Sequence, residues 1–460
     1  MAALAAAVLC TCITPFGRDL FVGDETKYGQ VVREMRSTGH VFLPTLGGVP
    51  FTHKPPLHFW MIDAFTIPLG VYSTWAFVLP SLLAFVFLLW LVGKMGGPLA
   101  AFICATSLMV WGSAQSARMD VAFTAFIVLA VWMMQRDRVI AAGAALGVAT
   151  LIKGPMAPVI GIILYALESW RCKRTPRLRD LGALLLMTAI PLLWFVPAMM
   201  IGGSAYTHEV IVKQTVGRAI SSWVHNAPPW FYLLHLPGSL FPWFFAAIAA
   251  VRGANRLYTN WILAVILPYS LMSSKLDVYM MAMIPPVALM IADHLSPIAN
   301  RIALGLLIVP VFFYARVPVE AKPLLIILAV AAAIGLLAWR SPVGSTIAVG
   351  IVPLVPLVYA ALTMMPFIND IGSTRNLIAA IDKQNVPPES VAVYTCPFLW
   401  SRDFPRDLER VRYVGANDIG QPTVIATSRS HAKEIEVTLR GYRHVDQFQM
   451  IGKWFDVYRR

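Results

Sequence analysis

The sequence predicts a polytopic α-helical membrane protein of about thirteen transmembrane helices, followed by a small C-terminal α/β extramembrane domain. Three observations predict it. Mean hydropathy is +0.67, with 58% hydrophobic and 13% charged residues over 460 positions, a balance that a water-soluble core and surface of this length do not produce. Stretches free of Asp, Glu, Lys and Arg recur up to residue 369, among them 64–93, 219–251 and 341–369, and several are long enough to cross about 30 Å of hydrocarbon. From about residue 370 the charge becomes regular, with 13 Lys and Arg against 11 Asp and Glu in 370–460.

Spans are expected near 2–16, 75–93, 97–112, 119–135, 139–151, 155–169, 181–201, 237–251, 257–272, 277–294, 302–316, 323–339 and 343–365. The basic residues orient them. Lys94, Arg136 and Arg138, the 171–179 segment, Arg252 to Arg256, Arg301 and Arg340 sit in short loops that the positive-inside rule makes cytoplasmic. Alternation then holds only if 57–72 lies along the outer face without crossing, which leaves the polar loop 17–56 outside together with Asp120, Lys153, 202–236, Lys275 and the C-terminus. The first span is read as an uncleaved helix, because no small-residue cleavage site precedes Asp24 convincingly.

In the tail, strand-like runs at Ser390–Phe398, Val411–Val414, Thr423–Ser428, Arg443–Met450 and Trp454–Tyr458 alternate with helix candidates at 373–384 and 429–440. The tail is nearly neutral, so +11 of the net +13 belongs to residues 1–369. Such a distribution reflects topology and anionic lipid, not nucleic acid. Cys10, Cys12 and Cys104 fall in spans, Cys172 in a cytoplasmic loop and Cys396 in the tail, so no disulfide is expected.

Ionisable groups at a bilayer are costly, and several on one side point to function. Asp24 and Glu25 open the first loop, Lys54 precedes Pro55-Pro56, Arg118 and Asp120 open a span, Lys153 precedes Gly154-Pro155, and Lys213, Arg218 and His225 occupy the loop before Pro228-Pro229. Each alone has an ordinary explanation. Asp24 and Glu25 suit a helix first turn, Lys54 and Lys153 suit snorkelling, and His53 and His225 suit an interface. Together they suit transfer of a group from a lipid phosphate, with a carboxylate accepting the acceptor's proton and cations holding the departing phosphate.

The ordered motifs DETKY, REM, GVPF, HKPPLHFW, LPSLLA, ARMDVAFTAF, LIKGP, LPGSLFPW and SSKLDVYMMAMIPP, with Gln214, Arg218, His225, Pro228 and Tyr232 between the seventh and the last two, resemble bacterial GT-C membrane glycosyltransferases over most of 20–290. The nearest resemblance is to lipid A aminoarabinose transferases and to protein O-mannosyltransferases. The apolar runs and the basic loops divide the chain into a transmembrane domain at 1–366, with 17–74 and 202–236 periplasmic, and a periplasmic α/β domain at 367–460; the resemblance makes the first a glycosyltransferase domain. It also implies inverting transfer of a monosaccharide from undecaprenyl phosphate, in the bacterial inner membrane, to lipid A, another envelope glycan or a protein. In this resemblance Asp24 and Asp120 match acids at the reaction centre, Lys54 the lysine on the donor phosphate, Arg218 a loop arginine suited to the same task, and Tyr28 the tyrosine after DET. Lys153, His225, Lys275 and Glu25 join them as substrate-site candidates.

Two positions depart from the pattern. Lys27 stands where the family usually has Arg, which keeps charge but loses bidentate phosphate geometry. His53 stands where the aminoarabinose transferases tend to have Glu, so the sugar stays open, as does a divalent cation held by Asp24 and His53. A transporter or lipid flippase would also explain the spans, but it calls for charges near the midplane and symmetry between halves, and neither is found in the sequence. An oligosaccharide ligase using the same donor lipid shares the GT-C logic.

Overall fold

The computed structural model describes residues 1–217, 226–337, 341–400 and 410–460. After α1 (Ala2–Ile13), the first loop carries α2 (Asp24–Thr38), a two-residue-per-strand hairpin of β1 (Thr45–Leu46) and β2 (Val49–Pro50), and α3 (Leu57–Leu69). Helix α2 buries Tyr28, Val31, Val32 and Met35, the i, i+3, i+4, i+7 stripe of an amphipathic helix. Gly23 before it has φ 123° and Gly39 after it φ 73°, both in the left-handed region that favours glycine. Glu34 on α2 fixes the hairpin by accepting hydrogen bonds from Thr45 Oγ1 (2.6 Å) and the N–H groups of Gly47 (2.7 Å) and Gly48 (3.1 Å). The chain therefore enters Phe51–Lys54 in a set direction.

The membrane part continues with α4 (Thr74–Thr106), α5 (Leu108–Ala114), α6 (Asp120–Gln135), α7 (Val139–Lys153), α8 (Met156–Arg171) and α9 (Leu178–His208). Every one of the thirteen expected intervals contains helix. Among the described residues only five helices are long and apolar enough to cross a membrane, or six if the pair Phe231–Ser239 and Phe244–Gly253, bent by 109°, counts as one. The difference has a physical cause. Helix α4 joins two of the expected spans, 75–93 and 97–112, across a break at Gly96-Gly97, and α7, with 15 residues, reaches only about 22 Å. Close packing compensates: a Cβ at Gly143 of α7 would stand 2.2 Å from the Ala183 carbonyl oxygen of α9, so only glycine lets the two helices meet there.

The tail is a five-stranded sheet in the order β4-β3-β5-β7-β6, from β3 (Val391–Tyr394), β4 (Arg412–Val414), β5 (Val424–Ser428), β6 (Arg443–Met450) and β7 (Lys453–Arg459). β3 is parallel to β4 and β5, and β7 is antiparallel to β5 and β6. Helix Arg375–Asp382 lays Leu377, Ile378 and Ile381 on one face, against Val391, Val393, Val424, Ala426 and Val457.

This domain docks on the first loop. Asp19, fully buried, pairs with Arg375 at 3.0 Å, Val22 N–H donates to the Gly372 carbonyl at 2.8 Å, and Arg33 donates to the Leu399 carbonyl at 3.0 Å. Trp400 packs on Phe77 at 5.7 Å and so tightly on α2 that a Cβ at Gly29 would lie 2.8 Å from its ring. The first loop and the tail therefore share one side of the helical part. At the far ends of α6 and α7, Asp137 pairs with Arg174 and Arg179.

Candidate active site

Three segments meet beneath the first loop: the first turn of α2, the turn 115–119 leading into α6, and the C-terminus of α7. Glu25 holds the first two together. Its Oε1 accepts the Ala117 N–H at 2.6 Å and its Oε2 the Phe21 N–H at 2.8 Å and the Arg18 guanidinium, while Arg18 also donates to the Gln115 carbonyl at 3.2 Å. Both oxygens of this buried carboxylate are thus engaged within the fold. Its neighbour Asp24 is left free to point elsewhere.

That neighbour faces Arg118. Arg118 Nη1 lies 3.7 Å from Asp24 Oδ2, and its Nε donates to Asp120 Oδ2 at 3.0 Å. The other oxygen of Asp120 accepts from Lys153 Nζ at 2.5 Å. A chain of alternating charge, Asp24, Arg118, Asp120, Lys153, results. Its members differ in access: the Asp24 side chain is 39% exposed and Asp120 only 3%. Asp120 is therefore held by two cations, whereas Asp24 can meet a ligand. Lys153 is further embraced by the rings of Tyr279 (4.8 Å) and Phe123 (5.3 Å), a cation–π setting that orients the ammonium. Lys54 stands within Coulombic reach of Asp120.

Tyr28 is buried beside this cluster, edge-on to Phe59 at 5.2 Å and to His58 at 5.9 Å. Burial first, and then the carboxylates of Asp24 and Asp120, push its phenol well above the usual range, so it remains a neutral hydroxyl. Burial likewise pulls His58 down to about 4, leaving a neutral imidazole. For Arg118 burial opposes the charge, but Asp120 and Asp24 outweigh it and raise its pKa.

The remaining candidates spread around this centre. Lys27 is exposed on α2. His53 packs against Phe51 at 5.2 Å, with Glu209 in electrostatic reach. Lys275 is buried in the loop before a 3-10 turn at Asp277–Met283. Arg218 and His225 lie outside the described residues. Among the described residues no three His, Cys, Asp or Glu side chains converge on one point. Sequence reasoning counted Arg118 among the ionisable groups that converge on the outer face without giving it a role of its own, and it did not single out Tyr279 or His58. The Arg-Met-Asp spacing at a helix start was the available signal for the first.

With this geometry in view, the sequence profile of the dolichyl-phosphate-mannose-protein mannosyltransferase family matches residues 53–200, the stretch that carries Lys54, Arg118, Asp120 and Lys153. The undecaprenyl phosphate-alpha-4-amino-4-deoxy-L-arabinose arabinosyl transferase of Pectobacterium carotovorum is 30% identical over 62% of this chain and 57% of its own length. That of Edwardsiella ictaluri is 26% identical over the same shares. The crystal structure of ArnT from Cupriavidus metallidurans bound to undecaprenyl phosphate superposes with a TM-score of 0.77 over 99% of this chain and 97% of that one, at 17% identity. The chain has the fold of that GT-C membrane protein. The resemblance read from the motifs and the likeness found by comparison point to the same transferases, and the match spans less than two thirds of the curated relatives' own length.

Proposed function

We propose that the chain is an inverting glycosyltransferase that moves a monosaccharide from an undecaprenyl-phosphate-linked donor to an acceptor hydroxyl at the periplasmic face. The observation that carries this reading is the accessible Asp24 set against the Arg118–Asp120–Lys153 cluster. Asp24 takes the proton of the acceptor hydroxyl as its oxygen attacks the anomeric carbon. The bond from that carbon to the phosphate oxygen breaks, and the electron pair stays on the lipid phosphate. Lys54 and Arg118 stabilise the charge that grows there, and Asp120 keeps Arg118 and Lys153 in place. Lipid A is the acceptor most in keeping with the relatives, and the aminoarabinose donor is the first to assay. The test is release of undecaprenyl phosphate by purified protein given donor and acceptor together; a transporter leaves the glycosidic phosphate bond uncut.

Lys54 gives a kinetic prediction. Because it meets an anion in both the ground state and the transition state, Lys54→Ala should raise the donor KM and lower kcat, and Lys54→Arg should recover part of each. Unchanged constants for Lys54→Ala would reduce the residue to a headgroup anchor. The face of the membrane is tested separately. Alkaline phosphatase fused after Arg460 should be active and fused after Arg174 inactive, and the reverse pattern would move the whole site to the cytoplasm.

A further inference from the structure

At the end of the bundle away from Asp24, α8 and α9 both pack on α7 and make little contact with each other. Between them is a notch of about 210 Å³ whose walls include Leu146 on α7, Ile162 and Tyr165 on α8, and Asp180, Leu184 and Met187 on α9. Glycines set its shape. Gly143 brings α7 against Ala183, and a Cβ at Gly161 of α8 would stand 2.3 Å from Leu146 Cδ1, so both walls sit close on the α7 floor while the gap between them stays open. From Asp180 to Met187 the notch runs about 10 Å along α9. Its lining is apolar apart from Tyr165 and Asp180. Ile162, Leu181, Leu184 and Leu185 beside it are exposed, which on helices in a bilayer means turned to lipid tails.

The notch ends at charge. Residues 136–138 and 171–180 hold seven Lys and Arg against two Asp. Asp137, in the turn between α6 and α7 at φ 60°, takes two of these cations: Arg174, and Arg179, whose Nη2 donates to Oδ1 at 2.6 Å. One acid against two guanidinium groups leaves a positive charge in excess. The Asp180 carboxylate that borders the notch accepts the Arg177 N–H at 2.7 Å and so caps the first turn of α9. Arg138, Lys173 and Arg177 are exposed, and among the described residues no ion pair joins any of the three to a carboxylate.

We infer that this notch holds one anionic phospholipid of the leaflet opposite the active site, with an acyl chain between α8 and α9 and the phosphate at Arg174 and Arg179. A volume of about 210 Å³ falls short of the roughly 300 Å³ at which small-molecule pockets begin, but it takes the upper part of one chain. The excess of cations at its mouth selects an anionic headgroup over a zwitterionic one. Such a lipid braces the 136–138 turn, and with it the ends of α6 and α7 opposite Asp120 and Lys153. The site needs only that these helices lie in a bilayer, whatever reaction the other face carries.

Lipid titration tests it. Purified full-length protein in detergent is given phosphatidylglycerol or phosphatidylethanolamine with the same acyl chains, and binding is read by native mass spectrometry and by the shift in thermal melting. The wild type should bind phosphatidylglycerol about tenfold more tightly. Arg174→Gln, which leaves Arg179 on Asp137, should remove most of that preference without changing phosphatidylethanolamine binding, and Arg174→Lys should restore part of it. Leu184→Trp, at a half-open position on the wall, should fill the notch and weaken both lipids. Lys173→Gln removes the same charge one residue away from the Asp137 cluster and should change little. Unchanged melting before lipid is added certifies the fold of each variant. Equal affinity of the wild type for the two lipids, undiminished phosphatidylglycerol binding in Leu184→Trp, or equal losses in Lys173→Gln and Arg174→Gln would overturn the assignment.

Discussion

Asp24→Asn is expected to lower kcat by about 10²–10⁴-fold, the contribution of one positioned general base, while the protein remains folded in the membrane. The structure separates these two consequences. Asp24 is 39% exposed and its contact with Arg118 is 3.7 Å, longer than a hydrogen bond, so an amide in its place stays solvated and breaks little. The acceptor hydroxyl, by contrast, loses the group that takes its proton. Turnover at saturating donor and acceptor, with thermal melting of the same samples, checks both halves. Wild-type turnover would leave Asp24 as a first-turn acid favoured by the helix dipole.

The extent to which this site could be read in advance varies by residue. The sheet strands were legible because alternation and turn residues are local signals: the run expected at Arg443–Met450 is β6, and Thr423–Ser428 differs from β5 by one residue. Helices were legible from uninterrupted apolarity. The expected spans 75–93 and 97–112 part where the chain breaks at Gly96-Gly97, but the packing that admits only glycine there, with the Leu289 side chain 2.3 Å from where a Cβ at Gly96 would stand, has no local signal. The adjacent acids Asp24 and Glu25 look equivalent in sequence. Only the fold brings Ala117 and Phe21 N–H groups to Glu25 and leaves Asp24 outward, a distinction made by contacts 92 residues apart in sequence. Docking of the tail on the first loop was likewise hidden, since Asp19 and Arg375 carry no mark of their partnership.

The hidden distinction extends to Asp120, and a double-mutant cycle exposes it. Asp120 is 3% exposed with one oxygen on Arg118 and the other on Lys153, itself 9% exposed. Asp120→Asn should therefore cost about 3–5 kcal/mol of stability, because removing one partner of a buried pair leaves the other charge uncompensated. Turnover should also collapse, since Arg118 and Lys153 lose the group that aims them. Lys153→Gln should be destabilising for the converse reason. The double variant Asp120→Asn, Lys153→Gln replaces the pair by two neutral amides of similar shape and should recover a good part of the stability lost by either single change. It should not recover activity, because the cations at the phosphate are no longer arranged. Denaturant melts in a fixed detergent and initial rates on the same four proteins complete the cycle. Recovery of turnover in the double variant would show that Asp120 and Lys153 serve folding alone, and undiminished stability in Asp120→Asn would remove the holding role from Asp120.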